Sequence, residues 1–285
     1  MNLTLRAAKE ADAQACGIIC YNAFKAIADQ HNFPPDFPVP DITIGLMSHL
    51  LSDSSIYSVV AEMDGRIIGS NFLTEQGIIA GVGPITVEPE LQNASVGKQL
   101  MENVIERAQK RQFAGVRLVQ AAYHNRSLSL YTKLGFDIRE PLSVLQGPAI
   151  NKTIPGYAVR SATDTDIDTC NTLCLNVHGH NRSQELINAI KAGTATVVER
   201  TGKITGYTTA LSFLGHSVAE TNTDLQALIG TATNFSGPGF LLPTRNSSVL
   251  RWCLDNGLRI TQPMTLMSMG LYNEPAGAYL PSVMF

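Results

Sequence analysis

Two stretches of this 285-residue chain carry residue types whose spacing could do chemistry. The first is Gln92-Asn93-Ala94-Ser95-Val96-Gly97-Lys98, small residues lying between a strand pattern and a helix pattern. Small side chains let backbone N–H groups approach a ligand closely, and a helix N-terminus adds positive potential. Together these could hold a pyrophosphate; taken alone, the segment is more simply a small-residue turn. The second stretch holds Asn125, Tyr131 and Gly135-Phe136. Taken alone, Tyr131 is a packing tyrosine on a helix face. Three titratable residues lie at element ends: Glu75 after a strand, His124 just before Asn125, and His31 in the segment HNFPPDFP. Their plainer roles are a solvated strand end, a helix cap and a loop hydrogen-bonder.

The elements that must position these residues are legible around them. Residues 57–63 and 66–74 are apolar runs joined by Asp64-Gly65, a hairpin signal. Residues 78–87 continue as a third strand, interrupted by Gly83-Pro84. Proline has no N–H for a ladder bond, so a bulge or splay belongs there. Val96, Leu100, Val104 and Ala108 recur every four residues and predict an amphipathic helix over 96–111. A strand over 115–122, a short helix over 126–134 and a strand from Phe136 follow. The result is a mixed α/β layer.

The chain then repeats itself. With a shift of 154 residues, Arg6 meets Arg160, Asp12 meets Asp166, and Cys16 and Cys20 meet Cys170 and Cys174. AEMDGRIIGS at 61–70 resembles VERTGKITGY at 198–207, and 124–136 loosely resembles 245–258. Three matched segments in one order argue for a duplicated domain. The copies differ in one span: 55 residues separate Gly69 from Asn125, but only 39 separate Gly206 from Asn246. The second copy therefore has no counterpart of the small-residue loop. Trp252-Cys253 stand where its tyrosine would be, and His216 is expected to be structural.

This order of elements and motifs resembles the GNAT superfamily of N-acetyltransferases. That family carries Q/R-x-x-G-x-G/A at the strand–helix junction, matched here by Gln92, Ser95 and Gly97. It also carries N-x5-Y-x3-GF, matched by Asn125, Tyr131 and Gly135-Phe136. Ser95 replaces the first glycine, which matters if that position needs a positive φ. The resemblance implies that backbone amides of Gln92, Asn93, Ala94, Ser95, Val96, Gly97 and Lys98 bind the pyrophosphate of acetyl-CoA. It implies that Ile85, Thr86 and Val87 of the splayed strand and Asn125 line the pantetheine arm. It places the Tyr131 hydroxyl near the thioester sulfur. A phenol of pKa ~10 can protonate a thiolate whose acid has a pKa of ~8.5. The base stays open. Many members place a glutamate on the splayed strand, and Ile85-Thr86-Val87 offers none, which leaves Glu75, His124, His31 or a water relay.

The expected fold class is α/β (α+β), two GNAT-like mixed-sheet domains in tandem. A catalytic domain spans 1–146, a Gly/Pro-rich linker 147–156, and a diverged domain without a cofactor loop 157–285. The tail from 271 is expected to be an ordered loop and strand, with the terminal Met284-Phe285 able to pack or to reach a cleft. Lys and Arg total 21 against 24 Asp and Glu, with no basic run, which excludes a nucleic-acid partner. No leader-like or membrane-spanning run stands out, so no membrane partner and a cytoplasmic location are expected. The five cysteines fit small buried residues better than a zinc site, and no metal is expected. Two functions follow. One is an acetyl-CoA-dependent N-acetyltransferase for a primary amine on a small molecule or peptide. The other is a catalytically silent acyl-CoA-binding or interaction module. A homodimer is an open state of assembly.

Overall fold

The hairpin turns where its sequence asks it to. In a computed structural model describing residues 3–92 and 95–284, β2 (Ile56–Met63) and β3 (Arg66–Thr74) join through Asp64 and Gly65, both at positive φ. The turn recurs at Thr201 and Gly202 between β9 (Thr196–Arg200) and β10 (Lys203–Thr208). Around the first hairpin stand β1 (Leu3–Ala7), α1 (Ala13–His31), α2 (Pro40–Ser52), β4 (Ile79–Val82) and β5 (Thr86–Val87). The first unit continues with α3 (Val96–Lys110), β6 (Gly115–Ala121), α4 (Asn125–Lys133) and β7 (Asp137–Gln146). The second contains β8 (Tyr157–Ser161), α5 (Ile167–His178), α6 (Ser183–Lys191), β11 (Ser217–Ala219) and α7 (Asn222–Thr231). It ends with β12 (Phe240–Pro243), α8 (Ser247–Asp255), β13 (Arg259–Gly270) and β14 (Ala278–Leu280).

The apolar stripe of α3 is buried as its spacing predicts. Val96, Leu100 and Val104 are fully enclosed and pack with Ile68, Val116 and Leu118 on one face of the sheet. On the other face α1 and α2 set Cys16, Cys20 and Met47 against Val60 and Phe72. All five cysteines are buried as free thiols. Burial pushes Cys20 and Cys170 up to about 12, so they pack as small apolar groups at neutral pH.

The repeat has a physical core. Arg6 donates to both oxygens of Asp12 at 2.7 and 3.0 Å and also bonds Glu62. Arg160 does the same to Asp166, at 2.7 and 2.9 Å, and to Glu199. In each copy this fork ties the first strand to the start of the first helix and to the hairpin.

The boundary at 147–156 separates the repeats along the chain but not in the sheets. β13, from the second copy, lies between β6 and β7 of the first. It pairs with β6 from Met264↔Ala121 to Gly270↔Gly115 and with β7 from Arg259↔Gln146 to Ser268↔Asp137, all antiparallel. β7 in turn pairs with β12. The large sheet runs β1-β2-β3-β4-β6-β13-β7-β12, and the smaller runs β14-β11-β10-β9-β8. Sequence repeats cannot show such an exchange, because each copy contains its own full set of strand patterns.

Candidate active site

β4 and β6 run parallel and are paired only from Ile79↔Gly115 to Gly81↔Arg117. At Gly83-Pro84, a cis peptide, the chain turns away, and β5 pairs with β3 instead (Gly69↔Val87, Ser70↔Thr86). β6 continues for four more residues, Leu118–Ala121, whose strand pairing lies on the β13 side. A V-shaped gap therefore opens between β5 and β6. Ile85, Thr86 and Val87 lie along one arm, as the proline predicts. Thr86 and Val87 are buried, and the Thr86 hydroxyl lies 3.3 Å from that of Ser70.

The gap leads to the start of α3. Ser95 has φ 62 and ψ 8, so the position does take the left-handed conformation that the substitution of glycine put in question. Serine adopts it at a cost of about 1 kcal/mol. α3 has no side-chain cap and no acidic residue in its first turn, which leaves its N-terminal potential unneutralised. Gly97 faces Val87 and Leu130, and a Cβ there would lie 3.8 and 3.9 Å from their methyls. Lys98 is exposed and pairs with Glu102 at 3.4 Å. Gln92 donates to the Val87 carbonyl at 3.3 Å and accepts from Arg126 of α4 at 2.5 Å, linking the loop to the helix across the gap. Asn93 and Ala94 lie outside the described residues.

α4 brings the second motif to the same place. Asn125 is exposed in its first turn and His124 precedes it. Tyr131 is buried beside Phe136, with ring centroids 6.3 Å apart. Burial pushes its phenol up to about 12 against the opposing pull of the Ser127 hydroxyl, so it is a proton donor at neutral pH. His124 Nδ1 lies 2.7 Å from Ser127 Oγ, and its Nε2 is buried with no hydrogen-bond partner among the described residues. Burial, then Arg126 and His31, push His124 down to about 4. Its imidazole is therefore neutral, with a lone pair to offer.

Glu75 is not in this group. Its carboxylate accepts from Arg107 at 2.6 and 2.9 Å and lies 3.9 Å from Arg111. Those arginines are at the C-terminal end of α3, about 20 Å from its first turn at 1.5 Å per residue. A carboxylate held by two cations at the far end of a helix cannot act as base in the gap. His31 does come near, with its ring 5.4 Å from that of Tyr123.

Four residues at the mouth were given no role of their own by the sequence. Phe33 stacks on Tyr123 at 4.1 Å, the Tyr123 hydroxyl lies 3.2 Å from Gln262 Oε1, and Gln262 Nε2 donates to Asp36 at 2.7 Å. Asp36 lies five residues beyond His31, in the loop that follows α1, but Gln262 arrives on the exchanged strand β13.

The second unit lacks the equivalent gap. β14 pairs with the free side of β11 (Ser217↔Leu280, Val218↔Tyr279, Ala219↔Ala278) and packs against β12. Only Glu220 and Thr221 separate β11 from α7, whose N-terminus is closed by Thr221 and by buried Asp224. His216 is structural: its ring bonds the Tyr207 hydroxyl at 3.0 Å and Glu185 at 3.1 Å. Phe285 lies outside the described residues. Among those described, no helix is long and apolar enough to cross a membrane.

Comparison with known proteins agrees with this architecture. The profile of the acetyltransferase (GNAT) family matches residues 24–136. No curated protein matches. Among solved structures, a Pyrococcus horikoshii protein assigned as an acetyltransferase superposes with a TM-score of 0.71 at 15% identity, covering 97% of this chain and 94% of that one. A GCN5-related N-acetyltransferase from Sphaerobacter thermophilus gives 0.63 at 13% identity, covering 95% and 96%. A tandem GNAT protein from the clavulanic acid biosynthesis pathway gives 0.59 at 13% identity, covering 99% and 100%. At these identities the likeness is one of fold. Residues 24–136 thus match the acetyltransferase (GNAT) family profile, and the chain as a whole has the tandem GNAT fold.

Proposed function

We propose that the first unit binds acetyl-CoA in the gap between β5 and β6 and transfers its acetyl group to a primary amine of a small molecule or peptide by direct attack. The observation that carries this reading is the gap itself, a parallel strand pair that parts beside an uncapped, acid-free helix N-terminus. Backbone N–H groups from Ser95 to Lys98 suit the pyrophosphate, with Gln92 and Arg126 bracing the loop. Ile85, Thr86, Val87 and Asn125 line the arm. When bound, acetyl-CoA supplies a thioester carbonyl for the amine to attack and a thiolate that leaves. His124 takes the amine proton at Nε2. Tyr131 gives its phenolic proton to the leaving sulfur, so an amide and a free thiol result.

Calorimetry and thiol release against a panel of amines test this. One coenzyme A should bind per chain, because β14 and Asp224 fill the corresponding places in the second unit. Gly97→Leu pushes a side chain toward Val87 and Leu130 and should lower affinity at least ~10-fold. Unchanged affinity in a folded variant, or two equivalents bound by wild type, would contradict the assignment. Binding without thiol release from any amine would instead favour the silent module.

A further inference from the structure

At the mouth of the gap a carboxylate stands without a cation. Asp36, half-buried in the loop between α1 and α2, accepts one hydrogen bond, from Gln262 Nε2 at 2.7 Å, and forms no ion pair among the described residues. Four other carboxylates withdrawn from water beside the sheets each have an arginine, and fully buried Asp224 instead takes bonds from the hydroxyls of Thr205 and Thr221 and the Thr221 N–H. Glu75 has Arg107, Glu140 has Arg245, Asp12 has Arg6 and Asp166 has Arg160. Burial pushes the Asp36 carboxyl above its usual range, opposed only by the Gln262 amide. A carboxylate deprived of water and given one neutral donor is poorly compensated, and a cation would restore what it lacks.

Its surroundings suit such a cation. Gln262 spans Asp36 and the Tyr123 hydroxyl, and Tyr123 stacks face to face on Phe33 at 4.1 Å and 8°. Aromatic faces attract alkylammonium groups and exclude water from them. Tyr123 is followed directly by His124 and Asn125, so this corner adjoins the reacting centre.

We propose that the acceptor carries a cationic group besides the amine that reacts, and that Asp36 receives that group beside the Phe33–Tyr123 stack. This rests on the acetyltransferase reading above. The charged group must be a second one. A nitrogen paired with a half-buried carboxylate keeps its proton, whereas the attacking nitrogen needs its lone pair free and gives its proton to His124. The substrate class is thus a diamine or another amine with a permanent positive charge a few carbons away. Asp36 is a specificity residue that acts before bond formation.

The test uses the full chain, acetyl-CoA, 1,4-diaminobutane and n-butylamine, with Asp36→Asn as the variant. Asparagine keeps the size and the bond to Gln262 and removes the charge. Wild type should favour the diamine at least ~10-fold in kcat/KM. In Asp36→Asn the diamine KM should rise ~10- to 100-fold, kcat should stay within ~3-fold, and the preference should vanish. Equal use of both amines by wild type, or a variant slowed equally on both, overturns the proposal. Calorimetric titration of the diamine into the coenzyme A complex reads the same site without turnover. Binding there that Asp36→Asn abolishes supports the assignment even if no acetyl transfer occurs, an outcome that would refute only the reaction. Absence of diamine binding to wild type overturns it.

Discussion

The two histidines and the glutamate that could have served as base differ in the company they keep. His124 has one nitrogen held by Ser127 and the other bare, while both oxygens of Glu75 are engaged by Arg107. His124→Ala should therefore lower kcat by ~10²-fold with coenzyme A affinity intact. Glu75→Gln should leave kcat within ~2-fold and instead cost about 1–2 kcal/mol of stability, since it leaves Arg107 short of its partner. Steady-state kinetics and urea melts on the two variants settle the contrast, and a reversed pattern would return Glu75 to the mechanism. Tyr131→Phe belongs with His124. Sequence alone could rank neither residue as base, because position in a strand or cap says nothing about which cations stand nearby. It did single out His31, yet it gave no separate role to Asp36 five residues further on, because its partner Gln262 lies 226 positions away.

Strands, helices and turns were far more legible. Asp64-Gly65 and the four-residue stripe from Val96 to Ala108 are local signals, set by backbone sterics and one apolar face. The bend at Gly83-Pro84 followed from a missing N–H. Local too is the arginine fork, and it makes an element-scale prediction. Arg160, helped by the Thr163 backbone and hydroxyl, holds the Asp166 carboxyl down to about 2. A depressed carboxyl contributes stability that is complete above the unfolded carboxylate range near pH ~4 and is lost as pH falls toward about 2. Because Arg160 is well exposed, solvent screening limits the contribution. Asp166→Asn should cost about 1–2 kcal/mol at pH 7 and flatten the acid limb of stability between pH ~4 and ~2. An acid limb identical to wild type, read by thermal melts across that range, would show that the fork is neutral.

At the scale of the molecule the repeat misleads. It suggests two separable domains, but the pairing that joins them is remote in sequence: Tyr123 and Gln262 touch across 139 positions. No periodicity within either copy could reveal that β13 belongs beside β6, or that β14 would occupy the second unit's gap. A fragment of residues 1–150 should accordingly lack the strand between β6 and β7 and expose an edge on each. We expect it to aggregate or to melt without a cooperative transition in urea. A monomeric fragment with a sharp transition and native coenzyme A affinity would show the exchange to be dispensable. The same strand also orders events on the ribosome. Residues 259–270 are made after every other strand of the large sheet, so the first unit stays unfinished until the second copy has almost wholly emerged. During that interval β6 has only β4 and β7 has at most β12 as a native neighbour, and the edge each keeps for β13 stays open to wrong partners.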